Sequence, residues 1–230
     1  MFFETTSEDT HRRGCKDVWN AHMVQGAEFS HNDIPFCPTT MTVPPPRLIS
    51  YEEAKRSKDY EAGVAFYKDD YKFDGLKSGI WVNYTECLRT VCKFRGGVIT
   101  PDFAMNQDLP DPWKRMNIYR SRAYGFYFVK AGLAVCNNIR WGDPNTWSYC
   151  FDGVSKGSMV AVSTHGCIKK SLDRKRYVDG LYEMIKIIEP PAILVYGSCP
   201  EDIFGEARKM HIKIYVYESE MKRYLGGKNE

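Results

Sequence analysis

Short runs of apolar, β-type residues alternate with longer helical patterns from about residue 33 onward, and this alternation limits the folds open to the chain. The clearest unit lies near the C-terminus. It predicts strands over 158–163, 192–196 and 212–217, with a helix capped by Asp173 between the first two and a helix over 201–210 between the last two. Alternating strands and helices of this kind form parallel sheets covered by helices.

The same rhythm continues upstream and gives about seven strand–helix steps in total. The predicted strands lie at 34–36, 63–67, 98–100 and 133–136, and the predicted helices at 51–58, 80–94 and 113–130. This number of steps in a single domain favours a (β/α) barrel of the TIM type, complete or incomplete, with an open doubly wound sheet as the alternative. We expect an N-terminal extension over 1–32, the α/β domain over 33–225 and a tail over 226–230.

Composition narrows the class of protein. With 230 residues, 43% of them apolar, the chain can bury a core without disulfides. Lysine and arginine exceed aspartate and glutamate by 32 to 29, an excess too small to make the whole surface a polyanion-binding face. No run approaches the roughly 18 apolar residues of a membrane span, and the first residues do not read as a signal peptide. The eight cysteines include no CxxC pair, so we expect a cytoplasmic protein with no membrane partner.

Polar residues follow the predicted strands at the point where each strand ends. In either parallel-sheet architecture these ends meet at one face, where ligands bind. Asn138 and Arg140 stand two apart in extended chain and therefore point to one side. Because a buried, unpaired arginine is costly, we expect Arg140 to meet a carboxylate or an anionic ligand.

These strand ends supply candidates for catalysis and for ligand binding. Asp102 or Asp70 would act as general base, with His165 as a partner in proton transfer. The predicted ligand-binding residues are Arg140 for the anion, Asn138 for orientation, Trp141 for stacking, and Thr164, Tyr196 and Glu218. A structural alternative is that Asp102 caps a turn and Asp70 lies in solvent.

Two further groups of residues suggest other chemistry. Arg120 and Arg122 lie in the densest basic stretch and are candidates for contacts with phosphates, although a solvated helix face also explains such charges. A second basic run, 169–176, follows His165. Cys15, His22, His31 and Cys37 carry zinc-type ligand atoms, but their spacings match no structural zinc motif, so no metal is predicted. No motif identifies a cofactor.

Five segments together resemble a known family: 66–70, 97–103, 117–122, 138–143 and 151–154. The family is the domain of unknown function numbered 4417, found in phages, mobile elements and bacteria, and the resemblance extends from about residue 33 to residue 218. It implies an origin and no particular activity. The positions that match its motifs are Asp70, Asp102, Arg120, Arg122, Asn138, Arg140, Trp141 and Asp152.

The leading hypothesis is therefore a phage-type or mobile-element-type enzyme that hydrolyses an anionic small molecule, either a nucleotide or a phosphosugar, at the strand ends. A binding protein that sequesters a nucleotide without turnover is the first alternative. A protein that contacts DNA or RNA during element replication is the second. The sequence specifies neither the oligomeric state nor the substrate.

Overall fold

The computed structural model describes residue 17, residues 19–220 and residues 222–223. Within these residues, seven parallel strands form one sheet whose spatial order follows the chain order. The strands are β1 (Leu48–Ser50), β2 (Gly63–Ala65), β3 (Val98–Ile99), β4 (Val135–Asn138), β5 (Val160–Ser163), β6 (Ala192–Tyr196) and β7 (Lys213–Tyr217).

Helices connect successive strands, in line with the predicted alternation. In the described residues they are α1 (Tyr51–Ala54), α2 (Asp70–Phe73), α3 (Tyr84–Val91), α4 (Asp111–Lys130), α5 (Trp147–Cys150), α6 (Ser171–Ile188) and α7 (Glu201–Lys209). The local sequence determines where several of these helices begin or end. Ser50 and Glu53 form a capping box at α1, Pro112 lies in the first turn of α4, and Glu189 ends α6 in the left-handed conformation just before Pro190.

Each strand pairs only with its chain neighbours, from β1 to β7, and the sheet curls into a half-barrel. A doubly wound sheet would reverse its strand order at a switch point, and the described strands contain no such reversal. A closed barrel of the TIM type is not confirmed, because β1 and β7 do not pair with each other in the described part of the chain. The chain is therefore a single α/β domain with an open, curled parallel sheet.

The two faces of the sheet have different environments. Alternate strand residues such as Val64 and Val98 pack against α3 and α4, whereas Val160 and Val195 pack against α6 and α7. The concave face is filled by the intervening residues of the strands, Leu194 and Tyr196 among them, and by Met41. Helices thus cover one face only, as right-handed crossovers between sequential parallel strands require.

Side chains bridge the gap between the two sheet edges. The Tyr217 hydroxyl donates to the Pro45 carbonyl at 2.8 Å. Beyond β7, Glu220 pairs with Lys68 at 2.5 Å and Arg223 Nη2 lies 3.0 Å from a Glu53 carboxylate oxygen. These contacts hold the chain that follows β7 against the β1–β2 side. Among the described helices, none combines the length and hydropathy needed to cross a bilayer.

Some predicted elements are corrected. The segment 34–36 is not the first strand: Pro35 makes only an isolated bridge to Phe29, and Ile34 accepts a hydrogen bond from Ser30 within a turn. The predicted helix 80–94 is limited to α3, and α2 and α5 were not predicted. Asp173 does not cap α6, whose N-cap position is Lys170. The predicted tail 226–230 and the first 16 residues lie outside the described part of the chain.

Candidate functional site

Four polar side chains from three neighbouring strand ends form a connected network. The Tyr67 hydroxyl, just after β2, donates to Asn138 Oδ1 at 3.0 Å. Asn138 Nδ2 donates in turn to Asp102 Oδ1 at 2.8 Å, and Arg140 Nη1 lies 3.6 Å from Asp102 Oδ2. We call Tyr67, Asn138, Asp102 and Arg140 the strand-end network. It confirms that Asn138 and Arg140 point to one side and that Arg140 meets a carboxylate.

Arg140 is held in its charged form but is not saturated with partners. The Asp102 carboxylate raises the pKa of Arg140, and this effect outweighs burial, which lowers it. Nη1 also donates to Cys167 Sγ at 3.1 Å, while Nε and Nη2 donate to no other described residue. With 27% of its side chain exposed, Arg140 retains donors for an anion.

Arg140 lies in the wall of a pocket of about 230 Å3 between β4, β5 and the first turns of α6. The charged residues of the wall are Arg140, Asp173 and Arg176. The remaining lining residues are Met105, Asn106, Gln107, Ile139, Trp141, Gly142, Ser163, Gly166, Cys167 and Tyr177. The pocket therefore occupies the carboxyl-end face where ligands of parallel-sheet proteins bind.

Tyr177 presents an unusual polar group to this pocket. Its side chain is only 6% exposed, and its hydroxyl has no hydrogen-bond partner among the described residues. Burial raises the pKa of Tyr177, and the charges near the hydroxyl include Arg140 and Asp102. The hydroxyl thus remains protonated at neutral pH, and a ligand oxygen in the pocket would satisfy it.

Asp70 adjoins the strand-end network without lining the pocket. Its carboxylate accepts a hydrogen bond from the Ala104 amide at 3.1 Å. Burial raises the pKa of Asp70; the Ala104 hydrogen bond opposes this shift, and the Asp102 and Asp74 carboxylates reinforce it. A carboxyl group with a raised pKa beside a second carboxylate has the electrostatics of a general acid.

Four other predicted residues lie at or just after the ends of β5, β6 and β7. His165 is exposed, and its backbone amide donates to Ser163 Oγ at 3.1 Å. Thr164 Oγ1 donates to the Ser198 carbonyl at 2.7 Å and joins two loops. The Tyr196 ring stacks on Tyr67, and Glu218 is exposed and pairs with Lys222 at 2.6 Å. None of the four lines the pocket.

The two arginines of α4 predicted to bind a ligand have structural partners instead. Arg122 is fully buried, and its guanidinium donates to the carbonyls of Asn138, Cys150 and Asp152. Arg120 pairs with Asp74 and lies over the Phe103 ring at 4.1 Å. Arg122 is 0% exposed and its guanidinium serves these carbonyls, so its contact with a ligand stays a prediction.

Trp141 lines the pocket as part of its wall. The residue is 9% exposed and its indole ring lies against Gly180, where an added Cβ would come within 2.2 Å of ring atoms. Its centroid is 5.1 Å from that of the Tyr177 ring. Gly180 therefore covers one side of the indole, and the stacking role of Trp141 stays a prediction.

Two residues of α6 that the sequence did not single out for the site, Asp173 and Tyr177, line the pocket together with Arg176, which belongs to the second basic run. Burial raises the pKa of Cys167, and the Arg140 charge opposes that shift without reversing it, so the thiol is a poor nucleophile. In the part of the chain described, no three His, Cys, Asp or Glu side chains gather as a metal site, and Cys15 lies outside that part.

Comparison with known proteins identifies the family. Residues 27–217 match the family model described as a domain of unknown function (DUF4417). The chain is 31% identical over 189 residues to the Gene 1 protein of Mycobacterium phage L5, which covers 80% of this chain and 79% of that protein. It is 30% identical over 188 residues to the Gene 1 protein of Mycobacterium phage D29, with 80% and 67% covered. No solved structure matches the chain. The chain therefore belongs to the DUF4417 family, as the five motifs of its sequence predict.

Proposed function

We propose that this protein is an enzyme that binds an anionic small molecule in the pocket beside Arg140 and hydrolyses it by acid–base chemistry. The observation that carries the proposal is the guanidinium of Arg140, which lies in the pocket wall with only Nη1 engaged by described residues. Planar guanidinium groups bind phosphate and carboxylate oxygens through paired N–H donors. An anion that accepts from Nε and Nη2 would complete the hydrogen bonding of Arg140.

The carboxyl groups beside Arg140 supply the proposed proton transfers. Asp102 is 13% exposed and does not itself line the pocket, but its Oδ2 lies 3.6 Å from Arg140 Nη1, and we place the attacking water between this carboxylate and the bound anion. In the proposed step, Asp102 accepts a proton from this water as its oxygen attacks the ester or glycosidic centre. The leaving oxygen takes a proton from Asp70 through an intervening water molecule, because Asp70, whose pKa is raised by burial, does not itself line the pocket.

A comparison of Asp102→Asn with Asp108→Asn tests this proposal. Asp108 is an exposed carboxylate of the same loop and has no ion pair among the described residues, so it serves as the matched control. Phosphate and sugar release would be measured on nucleoside monophosphates and on pentose and hexose phosphates. Asp102→Asn should lower turnover at least about 100-fold and leave affinity within about tenfold. Intact turnover in Asp102→Asn would remove Asp102 from the mechanism.

One observation favours a binding protein without turnover as the second candidate. Both carboxylate oxygens of Asp102 already face partners, Asn138 Nδ2 at 2.8 Å and Arg140 Nη1 at 3.6 Å. A carboxylate whose two oxygens already face partners has less capacity left to accept a hydrogen bond from an attacking water. A ligand that is recovered chemically unchanged after long incubation with the wild-type protein would support this candidate and contradict the enzyme.

A further inference from the structure

The pocket beside Arg140 carries charges of both signs, and this restricts the chemistry of its ligand. Arg140 and Arg176 line the pocket together with Asp173. The side chains of Arg176 and Asp173 make no hydrogen bond or ion pair with another described residue. Asp173 does not serve as a helix cap, since the N-cap of α6 is Lys170 and no side chain caps this terminus. A simple anion would satisfy the two arginines and be repelled by Asp173.

A carboxylate accepts hydrogen bonds and donates none, so its natural partner in a ligand is a hydroxyl or amine group. The Tyr177 hydroxyl adds an independent observation at the same place. The hydroxyl is buried and has no hydrogen-bond partner among the described residues, and Tyr177 is one of the residues that line the pocket. Because buried polar groups are nearly always hydrogen-bonded, we expect a ligand oxygen to accept a hydrogen bond from this hydroxyl. A ligand that suits the whole pocket carries an anionic group and several hydroxyl groups.

The size of the pocket separates the two ligand classes that its charges allow. Its volume of about 230 Å3 is below the range of roughly 300–1,000 Å3 that is usual for sites of drug-sized ligands. A nucleotide adds a base to its sugar and phosphate, and the Trp141 indole of the lining is packed on one side against Gly180 and is only 9% exposed, which leaves little ring surface for that base. The volume and the buried indole both favour a sugar phosphate.

We propose that the ligand of this pocket is a monophosphorylated sugar. Its phosphate lies between Arg140 and Arg176, a sugar hydroxyl donates to Asp173, and the Tyr177 hydroxyl donates to a ligand oxygen. This assignment rests on the proposed function, because it names the substrate class of the same site. It assigns binding roles to three residues of α6 and leaves the acid–base chemistry to Asp102 and Asp70.

Calorimetric titration of the full chain tests the assignment. The probes are ribose 5-phosphate, glucose 6-phosphate and fructose 6-phosphate, with adenosine 5′-monophosphate, inorganic phosphate and free ribose as comparisons. At least one sugar phosphate should bind about tenfold or more tightly than inorganic phosphate and than the nucleotide. Tighter binding of the nucleotide, or equal binding of inorganic phosphate, would overturn the sugar-phosphate assignment.

Two variants examine the individual contacts. Tyr177→Phe removes only the orphan hydroxyl and should weaken sugar-phosphate binding about tenfold. Tyr182→Phe is the matched control, because this tyrosine of α6 donates to the Ile203 carbonyl and does not line the pocket. Asp173→Asn should reduce the preference for sugar phosphate over inorganic phosphate. Unchanged binding in Tyr177→Phe, with the fold confirmed by circular dichroism, would overturn the role of that hydroxyl.

The outcomes also separate this inference from the proposed function. If a sugar phosphate binds as expected but is recovered unhydrolysed, the hydrolase proposal fails and the ligand assignment stands. If the wild-type protein binds a nucleotide and hydrolyses it, the ligand assignment fails and the hydrolase proposal stands. If the wild-type protein binds no anion of the panel at millimolar concentration, both fail.

Discussion

Replacement of Arg122 by methionine should destabilise the domain strongly, because this buried guanidinium joins three backbone segments. Its Nε donates to the Asp152 carbonyl at 3.0 Å, Nη1 to the Asn138 carbonyl at 2.9 Å and Nη2 to the Cys150 carbonyl at 3.3 Å. Methionine keeps an unbranched stem as far as the position of Nε and removes all three bonds. The variant therefore measures the loss of these hydrogen bonds together with the small space that the missing end of the guanidinium leaves.

The magnitude follows from two opposing effects. Hydrogen bonds to charged groups contribute about 1.5–3 kcal/mol each, so three of them contribute about 4.5–9 kcal/mol. Against this, burial of the Arg122 cation in the wild type costs several kcal/mol and lowers the pKa of Arg122, and the methionine variant avoids that cost. We expect a net loss of about 3 kcal/mol in the free energy of unfolding. With a urea m value of about 3 kcal/mol/M, the midpoint should fall by about 1 M.

Urea unfolding followed by far-ultraviolet circular dichroism provides the measurement. Arg89→Met is the matched control, because Arg89 is exposed and its ion pair with Glu86 lies on the surface of α3. The control should stay within about 0.5 kcal/mol of the wild type. A loss below about 1 kcal/mol in Arg122→Met, or a gain, would show that the three carbonyls do not need this guanidinium and would refute the reasoning.

Three further predictions concern other parts of the domain. Gly180→Ala should lower the free energy of unfolding by about 1–3 kcal/mol, because the added Cβ would come within 2.2 Å of the Trp141 ring. Thermal unfolding measures this change, and an unchanged melting temperature would contradict the packing. Asp70→Asn should stabilise the domain at pH 7 and lose this effect as the pH falls below 3.8, because a raised pKa in the native state makes the ionised Asp70 unfavourable above that pH. The free energy of unfolding, measured as a function of pH, tests this prediction. Equal effects of the substitution at pH 7 and pH 3 would exclude it. Cys92 is exposed and should react with a thiol reagent in the native state, whereas burial raises the pKa of Cys37 to about 12 and should delay its reaction until the protein unfolds. Mass spectrometry of the labelled peptides measures the order of reaction, and labelling of Cys37 before Cys92 would contradict the prediction.

The alternation of strands and helices was predictable because the later strands are continuous apolar runs bounded by proline and glycine. The strand β6 has the predicted bounds for this reason. The first strand was not predictable from its own residues. β1 contains only three residues, which are too few to show a pattern. The segment 34–36, which was predicted as the first strand from its apolar residues, lies in a turn instead.

The site was predictable only in part, for a similar reason. The two-residue spacing of Asn138 and Arg140 placed both on one side of the chain, where they contact Asp102. Tyr177 instead occupies an apolar position of the helical pattern, and only its packing reveals a hydroxyl without a partner. Arg122 shows the converse: its charge suggests the surface, and only tertiary contacts identify it as buried.

The sequential order of the strands has a consequence for how the chain acquires its structure during synthesis. Each new strand docks on the strand made just before it, so the sheet can grow stepwise as the polypeptide leaves the ribosome. The Tyr217–Pro45 hydrogen bond is different, since its partners are 172 positions apart. This hydrogen bond cannot form until β7 is complete, and it should therefore join the two edges of the sheet in a late folding event.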